Sequence, residues 1–263
     1  MNDWLHNLPL VWMALVVFGA TYLVTAVIYG VVIGLAAGER ARAFKAVSPS
    51  MLAPLGILFG LFIAFTASQV WNDTDRANTA VFREASALRA VVILAASFPG
   101  EPEAQIRRLI QRHIEEAATQ EWPKMAQHRA KLTIIPGPLA EAMRLALALT
   151  PGNRGQEIAQ REMVTALENA LDARRQRIIV SRSQVNLTKW TCLLVQAICM
   201  LAAIAMVHSD NRGAVAIAMG LFASGVAVSV LLILAHDTPF AGTISVSPAA
   251  LQQVLPESAA SPN

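Results

Sequence analysis

Charged residues are scarce in this chain, and so are cysteines. Only 15% of the 263 residues are charged, whereas 55% are hydrophobic; a typical soluble domain is about 25% charged. This composition argues against a soluble enzyme and excludes a disordered chain, which carries far less apolar material. The two cysteines cannot form a disulfide framework, and the Cys/His spacing of a metal site is missing. We therefore expect no catalytic residues, no metal and no cofactor.

The absence of charge extends over four long windows, residues 4–38, 46–72, 190–209 and 213–236. A helix needs about 20 apolar residues to cross the hydrocarbon core of a bilayer. Backbone groups in lipid must be bonded internally, so such spans should be helices. The sequence therefore predicts four transmembrane helices, within the apolar runs Leu10–Ala37, Met51–Val70, Trp190–Val207 and Gly213–Ala235.

The charge that is present lies mostly in residues 72–189, which hold 17 of the 21 Lys and Arg residues and 13 of the 18 Asp and Glu residues. This segment is rich in helix-forming residues, and its apolar positions recur at steps of three and four. We expect an all-α membrane protein with a helical soluble domain inserted between the second and third spans. The predicted parts are 1–71 (first two spans), 72–189 (soluble domain), 190–236 (last two spans) and 237–263 (an extended, partly ordered tail).

Two helices are expected to run from the membrane into the soluble domain without a break. The second span continues from Asn72 onward, and a helix from about Arg154 continues into the third span. More basic residues flank the soluble domain than the opposite side, where Arg40, Arg42, Lys45 and Arg212 lie. This bias favours a cytoplasmic soluble domain in a multi-pass membrane protein.

The second span is the most informative. Small residues recur on one face every four positions, and the opposite face is bulkier. The small face allows close helix packing, and bulky residues can form a hydrophobic constriction if several copies surround an axis. Alternatively, the bulky side chains face lipid or pack inside one subunit. The helix-packing candidates are Gly56, Gly60 and Ala64, and the constriction candidates are Leu58, Phe62, Phe65 and Gln69.

Both signs of charge follow the second span. The candidates for pore-lining charges are Asp73, Arg76 and Glu84, with Asp75 and Arg83 interleaved. Acids that face an axis would favour cations; the sequence leaves open which set faces inward. The spans themselves carry no charged residue, which argues against an ion-coupled transporter.

Several short motifs resemble the bacterial bestrophin-like family. They are Gly60–Ser68 followed by Arg76 and Val81–Leu88, the triplet Glu121-Trp122-Pro123, the cluster Arg174-Arg175-Gln176-Arg177, and Asp237–Gly242 after the fourth span. The resemblance implies four spans around a helical cytosolic domain, in the bacterial inner membrane. Bestrophins are anion channels built as rings of identical subunits, so it also implies a neck at Leu58, Phe62 and Phe65. The chain departs from bestrophins where Val70-Trp71-Asn72-Asp73 replaces their Arg-Trp-Trp-type signature.

The leading hypothesis is a homo-oligomeric ion channel, a tetramer or pentamer, that conducts chloride or another anion by resemblance. A cation channel of the same architecture is one alternative. A non-conducting membrane scaffold or sensor, whose soluble domain binds a partner, is the other. The expected partners are the lipid bilayer, a small permeant ion and identical subunits, with no nucleic acid, because the basic residues are mixed with acids along helices.

Overall fold

The computed structural model describes residues 8–36, 44, 49–242 and 244–254, and every regular element in them is helical. The residues Arg40, Arg42 and Lys45, and the predicted tail beyond Val254, lie outside this part. The elements are α1 (Leu10–Leu35), a 3₁₀ turn (Pro49–Met51), α2 (Leu52–Ala95), α3 (Glu101–Glu116), a π-helical turn (Ala117–Glu121), α4 (Trp122–Ala126), α5 (Gly137–Ala148), α6 (Arg154–Val180), α7 (Leu187–Val207), α8 (Arg212–His236) and α9 (Ala249–Gln252).

Among the described residues, four helices are long and apolar enough to cross a membrane, which confirms the predicted number of spans. Their bounds are Leu10–Leu35, Pro49–Ala95, Leu187–Val207 and Arg212–His236. The second of these is far longer than a bilayer requires. Its uncharged part ends before Asp73, so the charged residues of α2 lie beyond the apolar span.

The chain divides into two compact units. The membrane unit comprises the chain up to Asn72, Gln184–Asp237 and Gly242–Ile244, and the helical unit comprises Asp73–Ser183, Thr238–Ala241 and the remainder from Ser245. That the helical unit is a soluble, cytoplasmic domain stays a prediction.

The membrane unit is an antiparallel bundle, as two separate apolar clusters show. One cluster holds residues from the start of α1 and α7 and from the ends of the second and fourth spans: Met13, Val70, Trp190 and Leu234. The other holds residues from the end of α1 and α7 and from the start of the fourth span: Val32, Ile204 and Val215. Consecutive spans therefore run in opposite directions, and α1 and α7 run in the same direction.

Helix α2 is continuous, as predicted, but the predicted continuity from Arg154 into the third span is wrong. Helix α6 ends at Val180 and α7 begins at Leu187. The side chain of Asn186 accepts a hydrogen bond from the backbone N–H of Lys189 at 2.9 Å. Such a cap satisfies a free donor at a helix start and so favours a new helix over continuation.

The segment after the fourth span differs from the expected partly ordered tail. Phe240, Val246, Leu251 and Val254 are buried in the core of the helical unit. The indole N–H of Trp122 donates to the carbonyl of Val246 at 2.9 Å, and the rings of Trp122 and Phe240 meet edge to face. Few charges and several apolar residues make this segment suitable for the core, a property that its Pro, Ser and Ala content obscured.

Candidate functional site

One face of helix α2 is exposed along most of its length. The exposed positions alternate in steps of three and four residues, a repeat that stays on one side of a helix with a left-handed supercoil and winds by about 20° per heptad around a straight helix. We call this face the α2 stripe; it consists of Leu58, Leu61, Phe65, Ser68, Asn72, Asp75, Thr79, Phe82, Ser86, Arg89 and Ile93.

The α2 stripe changes chemistry along its length. In the uncharged part of the helix it is formed by large apolar side chains, with Leu58 59% and Phe65 67% exposed. From Ser68 to Thr79 it is polar, and beyond Thr79 it is mixed, with Phe82 63% and Ile93 65% exposed. An apolar section therefore precedes a polar section on the same face, an order that suits a constriction followed by a hydrated path.

Two of the four constriction candidates lie on the α2 stripe, and two do not. Leu58 and Phe65 are on it, whereas Phe62 is partly buried against the apolar cluster of the membrane unit. Gln69 accepts a hydrogen bond from the Lys189 ammonium, so it is engaged by α7. The bulky face predicted from the sequence was broader than the face that is exposed. The spacing of three and then four residues that begins with Leu58 and Leu61 was the sequence pattern that could have identified the exposed face.

The predicted small-residue face is used at one position within the described chain. A Cβ atom at Gly56 would lie 3.5 Å from the Cε atom of Met200, in contact with α7. Gly60 has nothing within 4 Å of such an atom, and Ala64 is exposed. The packing role of Gly60 and Ala64 therefore stays a prediction.

The structure places one of the three candidate pore charges, Glu84, apart from the other two. Arg76 is exposed and pairs with Asp73 at 3.6 Å, an i,i+3 contact beside the α2 stripe. Glu84 is wholly buried in the helical unit. The prediction that Glu84 lines a pore is therefore corrected, because its carboxylate faces the core of its own chain. Asp75, which lies on the stripe, is the better candidate.

Glu84 belongs to a buried ion-pair network, which the sequence analysis missed. The guanidinium of Arg177 donates to both Glu84 carboxylate oxygens, at 2.7 and 3.1 Å. The ring Nε2 of His113 lies 3.0 Å from the same carboxylate. Three helices, α2, α3 and α6, thus converge on one carboxylate.

The network extends through Arg177 to a second carboxylate. Arg177 donates to Glu121 at 3.0 Å, and Arg174 donates to the other oxygen of Glu121 at 2.9 and 2.6 Å. The Arg177 guanidinium also lies 4.5 Å from the centre of the Trp122 ring, in cation–π geometry. The conspicuous Arg cluster on α6 was a signal, but partners 93 positions apart cannot be paired from sequence.

The pKa values within this network follow from two opposing effects. Burial alone raises the pKa of Glu84, but the charge of Arg177 and the hydrogen bonds from His113 and Arg177 together outweigh it, so the pKa falls to about 2. Burial likewise raises the pKa of Glu121, and Arg174 and Arg177 more than offset it. Both carboxylates are therefore held ionised. The network connects helices α2, α3 and α6 through its ion pairs and hydrogen bonds.

The lowered pKa of Glu84 predicts an acid-dependent loss of stability. The unfolded carboxyl titrates near 4.5 and the folded one near 2, so the stabilising effect is complete above 4.5 and is lost as the pH falls toward 2. The difference corresponds to about 3 kcal/mol. We expect Glu84→Gln to abolish this share of the acid dependence in urea unfolding between pH 5 and pH 3. An unchanged dependence would show that other groups dominate.

Within the described residues, no group of three or more His, Cys, Asp or Glu side chains could hold a metal ion. Both cysteines, Cys192 and Cys199, are free. Helix α2 thus has a long exposed face, and on its opposite face Glu84 belongs to a buried ion-pair network.

In the part of the chain that the structure describes, four helices long and apolar enough to cross a membrane define a multi-pass membrane protein. The family comparison is specific: the Bestrophin-like domain matches residues 9–251. This match covers most of the chain, so the protein belongs to the Bestrophin-like family, as the sequence motifs indicated. No curated protein matches the chain, and no solved structure does.

Proposed function

We propose that the protein is a homo-oligomeric ion channel whose α2 helices surround a central pore. The observation that carries this proposal is the α2 stripe, whose eleven exposed positions follow an uninterrupted 3–4 spacing. A 3.5-residue repeat keeps one face of a long helix directed at a parallel neighbour or axis. Lipid contact accounts for exposed apolar residues in the span, and water accounts for exposed polar residues such as Asp75 and Thr79 beyond it; a shared pore axis accounts for both at one register.

The neck of the proposed pore is formed by Leu58, Leu61 and Phe65. Side chains of this size, repeated by four- or fivefold symmetry, leave a narrow apolar passage that hinders hydrated ions. Within the helical unit, Glu84 lies on the face of α2 opposite the stripe and is held there by Arg177, so the stripe residues of that unit face away from its core.

The charge on the stripe is the observation that bears on the ion the proposed pore conducts. Kinship with bestrophins favours anions, but the acid nearest the neck on the stripe is Asp75, and Arg76 lies beside it in contact with Asp73. Farther along, the Arg89 guanidinium donates to the carbonyl of Gln253 at 3.0 Å. A ring of Asp75 carboxylates attracts cations and repels anions. The geometry therefore favours cation conduction.

Asp75→Asn is expected to reduce selectivity for cations. In planar bilayers with a tenfold KCl gradient, a perfectly cation-selective pore reverses at about 59 mV. The wild-type reversal potential should lie toward that limit, and that of Asp75→Asn should move toward zero. Asp172→Asn is the matched control, because Asp172 is an exposed acid on α6. A wild-type reversal potential of the opposite sign, unaffected by Asp75→Asn, would establish the anion channel instead.

The competing proposal is a non-conducting scaffold or sensor in the bacterial inner membrane, with the helical unit in the cytoplasm. Purified protein in liposomes distinguishes the two. Ion flux above that of empty liposomes supports the channel. Absence of flux for K⁺, Na⁺ and Cl⁻ across a range of pH and voltage supports the scaffold, as does a single subunit in detergent. Neither proposal includes enzymatic activity.

A further inference from the structure

An exposed apolar loop lies between α4 and α5 of the helical unit. Leu132, Ile134 and Ile135 are 39%, 57% and 67% exposed. We call residues Leu132–Ile135 the apolar loop. Large aliphatic side chains that are exposed together on a short connection indicate a surface that contacts another apolar phase.

The charged residues of the stretch 122–140, which contains the apolar loop, are all basic. Residues 122–140 contain no Asp or Glu, whereas Lys124, Arg129 and Lys131 are all exposed. Apolar side chains flanked by cations are complementary to a bilayer surface, where acyl chains lie beneath anionic headgroups. A protein partner would need a matching acidic rim around an apolar centre.

Hydrogen bonds attach the loop region to a position close in the chain to a membrane helix. The ring N–H of His128 donates to the carbonyl of Ser181 at 2.8 Å, and the Arg182 guanidinium donates to the carbonyl of Ala130 at 2.6 Å. The membrane helix α7 begins at Leu187. The chain from Arg182 to Leu187 can extend at most about 17 Å. The end of α6 that holds the loop region is therefore joined to the first residue of α7 by a short stretch of chain.

We propose that the apolar loop inserts into the interface of the bilayer that holds the four spans, with Arg129 and Lys131 against anionic headgroups. The loop then serves as a second membrane contact of the helical unit, besides the chain connections to the spans. This inference requires only that the spans lie in a membrane. It therefore stands or falls independently of ion conduction.

The test measures lipid contact at the loop in the full-length protein. Ile135→Cys, in a Cys192→Ser and Cys199→Ser background, is labelled with an environment-sensitive fluorophore and reconstituted into liposomes that contain phosphatidylglycerol and shallow nitroxide-labelled lipid. The matched control is Ile158→Cys, because Ile158 is also exposed, at 55%. Ile158 lies on α6, about 35 Å from Ser181, because each helical residue adds about 1.5 Å.

We expect the label at position 135 to lose most of its fluorescence to the lipid nitroxide, and the label at 158 to lose little. Arg129→Gln with Lys131→Gln should weaken the quenching in anionic liposomes more than in neutral ones, since each cation near an anionic surface strengthens association about fivefold. Equal quenching at 135 and 158 overturns the proposal. So does cross-linking between subunits through Cys at 135 without lipid quenching, which identifies a second copy as the occupant.

Discussion

Replacing Arg177 by methionine is expected to lower the free energy of unfolding by about 3–5 kcal/mol, the usual cost of removing one partner from a buried ion pair. The side chains of Arg177 and Glu84 are both fully buried. Methionine retains much of the volume but leaves the Glu84 carboxylate without its charge partner and Glu121 without one of two. Thermal unfolding of the detergent-solubilised protein, followed by circular dichroism, should show a midpoint lower by about 10 °C.

Arg175→Met is the matched control for this prediction. Arg175 is on the same helix and forms an ion pair with Asp172, but both side chains are more than 60% exposed. Exposed pairs contribute about 0–1 kcal/mol, so this variant should unfold close to the wild type. If the two variants unfold at the same temperature, the buried network does not contribute the stability that its geometry implies.

A double variant separates coupling from simple loss of packing. Glu84→Met combined with Arg177→Met removes both charges at once, so no uncompensated carboxylate remains at that contact. The double variant should be markedly more stable than the sum of the two single losses predicts. Strict additivity would mean that the two residues contribute independently.

Replacing Phe65 by alanine is expected to raise ion flux through the proposed neck about tenfold, which corresponds to a barrier lower by about 1.4 kcal/mol. Phe65 is 67% exposed on the α2 stripe, so its loss widens the apolar passage without removing a core residue. Flux is measured on proteoliposomes loaded with a K⁺-sensitive dye, at equal protein content. A change in voltage dependence in planar bilayers is the second readout.

Two variants serve as controls for the neck. Leu221 is 72% exposed on the fourth span and is not part of the α2 stripe, so Leu221→Ala should leave flux unchanged. Phe62 packs inside its own chain, so Phe62→Ala should lower thermal stability more than Phe65→Ala does. Unchanged flux in Phe65→Ala would remove this ring from the pore and leave only the membrane anchoring of α2.

The number of spans could be predicted from sequence because a bilayer imposes a simple length and polarity requirement on each helix. The long α2 was predictable for a similar reason, since nothing between Leu52 and Ala95 interrupts helical spacing. The break between α6 and α7 was missed because the start of α7 is marked by one hydrogen bond, which the side chain of Asn186 accepts. The packing of Phe240 was missed because a short apolar segment does not reveal its partner.

By itself, the sequence determined the membrane class, the all-helical architecture and the family, because hydrophobic length and local motifs act over a few turns of one helix. Tertiary structure decided which face of α2 is exposed, that Glu84 is buried rather than pore-lining, and that Arg177 is its partner. Those properties depend on contacts between residues far apart in the chain. Only after the helices have packed does the attraction between paired charges offset the free-energy cost of burying them.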